Sequence, residues 1–288
     1  MTILITAATG NVGKEIFKQL VESSEQPRVF VRDEAKARAV VSKGEYQVSI
    51  GDITDLNALK NAMQGVEAVY TAVLDAFRDD MTYLNNIITA AKDNGVKRIV
   101  LMSAFKVEAY PDMPFIGWHI KAEETLMNSG LEYTILRPDW FMQNFLAYVK
   151  EGQLNLPMGL GKNSFIDTQD IAAVAIAALK DSQHAGKEYA LTGPESMDHH
   201  QVADVISNVT GRACIYNNVA PELVKQGLEA QGYEAWYINM YLDITLPMRD
   251  KGIRSPQTDV EKVLNRKAIS LSDFVQRNLT HFLDACPA

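Results

Sequence analysis

Thr2-Ile3-Leu4-Ile5-Thr6-Ala7-Ala8-Thr9-Gly10-Asn11-Val12-Gly13 is the stretch that decides the fold of this chain. Ile3 to Ile5 form a continuous apolar run, the pattern of a strand buried on both faces of a parallel sheet. A turn of small residues follows. Then Val12, Ile16, Leu20 and Val21 recur on one face of a helix over about 12–21. Strand, small-residue turn and helix in this order make the opening βα unit of a dinucleotide-binding sheet. Without a Cβ, Gly10 lets the backbone approach a pyrophosphate and Gly13 lets the helix pack close to the sheet. The free N–H groups of the first helical turn favour an anion there. In the Gly-x-x-Gly-x-x-Gly spacing the first position is Ala7, whose methyl group the turn tolerates. Thr6, Ala8, Thr9, Gly10, Asn11, Val12 and Gly13 are the first candidate cofactor-binding residues; the bland alternative for this stretch is a tight structural turn.

The next decisive residue is Arg32, at the C-terminal end of a second strand, Arg28-Val29-Phe30-Val31, and 19 residues beyond Gly13. An acidic residue near this place binds a ribose 2′-hydroxyl, whereas an arginine suits a 2′-phosphate, so the expected cofactor is NADP(H), as NADPH. The alternative for Arg32 is a solvated strand end. Asp33 precedes the helical stretch 34–41 and is placed as its N-cap.

Outward from this unit the pattern keeps alternating. Strands are expected at 46–50, 68–73, 98–102, 133–136 and 188–191. Helices are expected at 55–64, 81–93, 117–128 and 170–179, the first three closed by Gly65, Asn94-Gly95 and Gly130. Strands alternating with helices of this length predict an α/β fold, a doubly wound parallel Rossmann sheet. After Thr192-Gly193-Pro194 the pattern turns mainly helical, with stretches at 199–209, 221–230, 233–248 and 271–283. The expected division is a Rossmann domain over 1–153 and 164–192 and a smaller C-terminal substrate lobe over 154–163 and 193–288.

In such sheets ligands bind past the C-terminal ends of the strands. Asp52 is there, either accepting a hydrogen bond from an adenine amino group or capping the turn after its strand. Thr71, Ala72 and Val73 would run beside the nicotinamide-side ribose, and Ala72 and Val73 join the cofactor-binding candidates. Ser103 stands where an active-site hydroxyl is expected, or bonds its own turn.

Composition narrows the function classes. The formal net charge of −8, with no compensating basic cluster, argues against nucleic acid as a partner. No apolar run approaches the length of a membrane span, and the two cysteines, Cys214 and Cys286, have no metal or redox spacing. These features predict a cytoplasmic protein without a membrane partner. His199 and His200 are adjacent, and neighbours on a helix point apart, so no metal site is expected.

The small-residue turn, Val31-Arg32-Asp33, Gly51-Asp52 and Val96-Lys97-Arg98-Ile99-Val100-Leu101-Met102-Ser103 together resemble one family. So do the stretch from Ser129 to Pro138, Trp140-Phe141-Met142-Gln143-Asn144 and Thr192-Gly193-Pro194-Glu195. Over most of its length the chain resembles the NmrA-like branch of the atypical short-chain dehydrogenase/reductases. That branch holds NAD(P)H-dependent quinone, azo-dye and triphenylmethane-dye reductases, ergot-alkaloid pathway reductases, and non-catalytic NAD(P)-binding redox sensors. The resemblance implies a Tyr-x-x-x-Lys pair at the positions occupied by Phe115 and His119. Phe115 moves no proton, so alcohol dehydrogenation by the tyrosine route is not expected. His119 is placed to bond a ribose hydroxyl or to act as a general acid near neutral pH; the alternative is a hydrogen-bonded structural histidine. Trp140, Phe141 and Met142 are expected as an apolar wall of a substrate pocket with Phe115, or else as plain core.

The function expected from these residues is NADPH-dependent hydride transfer to a hydrophobic, conjugated small molecule such as a quinone, enone, imine or dye. His119 and Ser103 are its candidate catalytic residues, and Phe115, Trp140 and Met142 its candidate substrate contacts. The rival is a non-catalytic NADP(H)-binding sensor that passes its ligand state to a protein partner.

Overall fold

The computed structural model describes residues 1–73, 80–105, 113–251 and 255–287. Among them are ten strands: β1 (Ile3–Ile5), β2 (Arg28–Val31), β3 (Gln47–Ile50), β4 (Ala68–Ala72), β5 (Arg98–Met102), β6 (Glu132–Pro138), β7 (Val149–Lys150), β8 (Gln153–Leu156), β9 (Lys187–Leu191) and β10 (Ile215–Asn218). Seven form one sheet in the order β3-β2-β1-β4-β5-β6-β9, every pair parallel. The chain runs outward from β1 in both directions, the doubly wound arrangement of a Rossmann sheet.

The pleat sorts the strand residues between two layers of helices. Ile3 and Ile5 of β1 face α1 (Asn11–Glu22), while Leu4 joins a second core. That second core faces α3 (Leu56–Ala62), α4 (Thr82–Asp93) and α5 (Pro114–Met127). The first core also takes Ala37 of α2 (Glu34–Val40) and the buried stripe of α7 (Thr168–Lys180). Val12, Ile16, Phe17 and Leu20 of α1 are buried, each worth about 1.5–3 kcal/mol against exposure. Gly13 permits this packing, because a Cβ there would stand 1.9 Å from the carbonyl oxygen of Ala7. Asp33 caps α2 as the sequence predicts, its carboxylate accepting the Ala35 N–H at 2.9 Å.

A third core fills the C-terminal lobe. It includes residues of α6 (Phe145–Tyr148), α8 (His199–Thr210), α12 (Leu271–Arg277) and α13 (Leu279–Ala285). α9 (Pro221–Ala230) and α10 (Ala235–Lys251) lie against each other, and Met248 of α10 joins this third core. The lobe differs from the expected helical run in three places. β7, β8 and β10 form a small second sheet in the order β10-β8-β7. Its signal is short: Gln153-Leu154-Asn155-Leu156 alternates exposed and buried residues, and Glu151 and Gly152, both at positive φ, make the hairpin turn. Second, α11 (Asp259–Leu264) packs on α7 and β9, so Val260 joins the Rossmann core rather than the lobe. Asp259 also accepts the Ala190 N–H of the edge strand β9 at 3.0 Å. Third, the helix expected over 271–283 is two helices, broken at Asn278. No helix among the described residues is long and apolar enough to cross a membrane.

Candidate functional site

The C-terminal ends of β1, β2, β3 and β4 open on a groove of about 850 Å³. Thr6, Ala8, Thr9, Gly10, Arg32, Asp52 and Val73, all expected at the cofactor, line it. Asn11, Val12 and Gly13 are not part of its wall. They form the first turn of α1, and no side chain caps that turn from the N-cap position, Gly10. Its unpaired N–H groups are a place for an anion. Val12 turns its own side chain into the core, with 1% exposed, so only its backbone can serve a ligand. Ala72 is likewise buried and outside the groove wall, with its carbonyl accepting from the Tyr83 hydroxyl at 3.4 Å. Thr6 spends its hydroxyl on the Tyr70 carbonyl, 3.1 Å away.

Arg32 is exposed at the end of β2 and hydrogen-bonds no described residue. Lys36, from the start of α2, lines the same groove and is a second cation that the sequence reading passed over. Its signal was its place, four residues beyond Arg32. Asp52 caps its own turn: its carboxylate accepts the Thr54 hydroxyl at 2.6 Å and the Thr54 N–H at 2.9 Å. These two bonds, and to a lesser extent Arg32, hold the Asp52 carboxyl below the usual carboxylate range. Gly51 is required beside it, because a Cβ would meet the Phe30 ring at 2.7 Å. A pair of cations, an uncapped helix start and a turn without Cβ at Gly10 fit a dinucleotide carrying an extra phosphate.

Beyond β4, β5 and β6 lies a second space, an apolar cavity of about 370 Å³, and Val73 lines both. Its floor includes Met102 and Ser103; Phe115, Ile116 and His119 of α5 form one wall. Trp140, Phe141 and Asn144, past β6, form another, and Ile244, Pro247 and Met248 of α10 close the third. The Trp140 indole N–H donates to the Met248 thioether at 3.0 Å, joining two walls that are 108 residues apart. The carboxylate of Asp139 accepts the backbone N–H groups of Trp140 at 2.9 Å and Ser164 at 3.1 Å.

Ser103 Oγ lies 3.2 Å from His119 Nδ1, and both residues are buried. Burial alone pushes the His119 imidazole down to about 3, so the ring is neutral at neutral pH. That corrects the expectation of an acid titrating near neutrality. Phe115 packs edge-on against this ring, with centroids 4.6 Å apart.

Met142 is a further correction. It is 1% exposed in the core of the C-terminal lobe and does not line the cavity. The 3-10 turn Met142–Asn144, anchored by the Met142 N–H on the Ile166 carbonyl at 2.9 Å, rotates that side chain inward. Phe141, just before the turn, and Asn144, its last residue, face the cavity instead. Met102, Asn144, Ile244 and Met248 were not expected there; the last two come from a lobe helix whose approach no local pattern records. His199 is buried among the rings of Phe145, Phe165 and Tyr216, which push its imidazole down to about 4 by desolvation. Among the described residues no group of three or more His, Cys, Asp or Glu could hold a metal ion.

Residues 7–182 match a family model described as NAD(P)H-binding. The chain is 32% identical over 286 residues to an NAD(P)H azoreductase of Xenophilus azovorans, covering 97% of this chain and 99% of that protein. It is 28% identical over 279 residues to quinone oxidoreductase 2 of Escherichia coli, covering 95% and 97% of the two chains. The crystal structure of that Escherichia coli NADPH-dependent quinone oxidoreductase, complexed with NADPH, superposes with a TM-score of 0.83 at 28% identity, over 96% of this chain and 99% of the other. A negative transcriptional regulator, NmrA, crystallised with NADP, shares the fold at a TM-score of 0.77 and 14% identity, over 96% and 94% of the two chains. With this sheet and groove, the chain belongs to the NAD(P)H-binding family.

Proposed function

We propose that this protein is an NADPH-dependent reductase of uncharged, conjugated acceptors of the quinone or dye class. The observation that carries this is the meeting of groove and cavity at Val73. A dinucleotide laid across β3, β2 and β1 ends beside β4, next to an apolar space large enough for an aromatic ring system. The azoreductase and the quinone oxidoreductase among the relatives support the same class.

Arg32 and Lys36 would hold the 2′-phosphate, the first turn of α1 the pyrophosphate, and Val73 would border the nicotinamide end. NADPH bound there supplies two electrons as a hydride, and a proton from water completes the reduction of the acceptor. The chain's own part is to bind and orient. Phe115, Trp140, Phe141 and Met248 exclude water and offer apolar surface to a flat ring, while Met102 and Met248 adapt to its outline. With phenylalanine at 115, no tyrosine hydroxyl supplies a proton at that position, which suits electron-poor acceptors that need little acid assistance.

The test is acceptor-dependent loss of NADPH absorbance with a naphthoquinone, an azo dye and a simple ketone. Oxidation with the first two and not the ketone is expected. Tight NADPH binding with no oxidation by any acceptor would instead mark a nucleotide sensor and overturn the reductase reading.

A further inference from the structure

Ser103 and His119 are 16 residues apart and meet because β5 and α5 flank the cavity. A serine hydroxyl has one proton to donate, and a buried hydroxyl keeps it engaged. Ser103 is 4% exposed, and its Oγ has no acceptor among the described residues other than His119 Nδ1. The Ser103 backbone N–H, donating to the Leu136 carbonyl at 2.7 Å, fixes the residue in place. If Nδ1 carried a proton, the hydroxyl hydrogen would have no acceptor among the described residues; if Nδ1 is the acceptor, both groups are satisfied. The imidazole proton then sits on Nε2, which hydrogen-bonds no described residue, on a ring that lines the cavity.

We propose that Ser103 fixes His119 as the neutral Nε2–H tautomer, and that this N–H holds the oxygen or nitrogen of the acceptor that gains charge on reduction. His119 is the catalytic residue in this scheme and Ser103 a positioning residue. The proposal rests on the reductase reading for its substrate, but the tautomer does not. A fixed N–H in a water-poor site strengthens its bond as charge develops on the partner, without a proton having to leave the ring. The acceptor class follows: uncharged rings with a carbonyl, imine or azo group in conjugation, rather than hydrocarbons or cations.

Neighbouring charges leave the ring neutral. On α5, Glu123 is clamped by Arg137 of β6, with Arg137 Nε 3.1 Å from its carboxylate, while Lys121 and Glu124 lie off the buried face. Asp139 accepts backbone N–H groups, as described. Among the described residues of the helices packed on α5, Lys92 and Asp93 lie in the last turn of α4, where Asp93 pairs with Lys60, Asp243 of α10 is exposed and Arg249 half-buried, and none of these charges displaces the imidazole from neutrality. Burial is the cause that sets its charge.

The experiment combines nitrogen NMR of histidine-labelled protein, with and without NADPH, and steady-state kinetics across pH. His119 is assigned by its disappearance in His119→Gln. A protonated Nε2 and an unprotonated Nδ1 at neutral pH are expected in the wild type. Ser103→Ala should turn this signal into a tautomer mixture, and Ser103→Thr, which keeps the hydroxyl, should restore it. In turnover, Ser103→Ala should lower kcat by about tenfold with NADPH affinity unchanged, Ser103→Thr should recover it, and His119→Phe should lose about a hundredfold. The wild-type kcat should be flat through the ordinary histidine range near pH ~6.5. An imidazolium or Nδ1–H signal, a rate falling as pH rises through that range, or equal defects in Ser103→Ala and Ser103→Thr would overturn the proposal. No turnover with any acceptor would fail the reductase reading alone, and the nitrogen signals would still decide the tautomer.

Discussion

Arg32 ends β2 with its guanidinium exposed to the groove, and Lys36 lines the same wall from α2. A guanidinium bonded to a 2′-phosphate is a charge-assisted pair worth about 1.5–3 kcal/mol. Calorimetric titration should show NADPH bound at least about tenfold more tightly than NADH, and Arg32→Ala should remove most of that preference while leaving NADH affinity almost unchanged. Equal affinities in the wild type would show that neither cation meets the phosphate. Trp140 and Met142, two residues apart, separate sharply in the same kind of experiment. Met142→Ala opens a hole in a packed core and should cost about 2–5 kcal/mol in urea unfolding with little change in KM. Trp140→Ala removes a cavity wall and should raise KM for an apolar acceptor while sparing NADPH affinity. Sequence placed both on one pocket wall; the 3-10 turn between them and Asn144 sends their side chains to opposite sides.

At the scale of elements, the cavity wall is held by a chain of polar contacts between segments far apart in sequence. Asp167 caps α7, accepting the Gln169 N–H at 2.9 Å, and also accepts the Gln143 amide at 2.8 Å. Gln143 in turn accepts the Thr168 N–H at 3.1 Å, and Arg277 of α12 pairs with the buried Asp167 carboxylate. The turn at Phe141 and Asn144 is thereby tied to α7 beside the sheet and to α12 of the C-terminal region. Arg277→Met leaves that carboxylate buried without its cation and should destabilise the fold by about 3 kcal/mol, the low end for such pairs because the hydrogen bonds remain. Denaturant unfolding measures the loss, and a change below half of one kilocalorie would show the pair to be solvated. The β1–α1 contact is equally specific. Gly13→Ala places a methyl against the Ala7 carbonyl, so α1 must shift, and NADPH affinity and thermal stability should fall together.

Across the whole molecule, three histidines among the described residues are buried with a lowered imidazole pKa: His119 in the cavity wall, His199 in the core of the lobe, and His184, whose ring Nδ1 lies 2.7 Å from the Tyr189 hydroxyl. Burial lowers His119 to about 3 and His199 to about 4, both below the ordinary histidine value of about 6.5. The unfolded chain therefore takes up protons below about pH 6.5 that the folded chain refuses, and stability falls as pH drops. Each histidine adds at most about 1.4 kcal/mol of loss per pH unit, from about 6.5 down to its folded value. Urea unfolding at pH 7 and pH 5 should show this decline, and His199→Phe should make it shallower while His119 and His184 sustain the remainder. An unchanged slope would mean that the lobe opens and solvates His199 before the molecule unfolds.

The sequence by itself determined the βα opening, the doubly wound alternation of strands and helices, the Asp33 cap and the position of Arg32 at a strand end. Each of these is written in a short contiguous stretch, where the side-chain period and the turn residues fix local geometry. The alternating signal of β8 was present but only four residues long, and β10, its partner, lies some 60 residues away. Tertiary structure alone decided that Ser103 meets His119, that Met248 of a lobe helix meets Trp140 across 108 residues, and that Val260 returns to the sheet's core. It also decided that Met142 turns inward. Such contacts depend on how elements rotate and approach one another, and a helix stripe or strand run states which face is buried without naming what buries it.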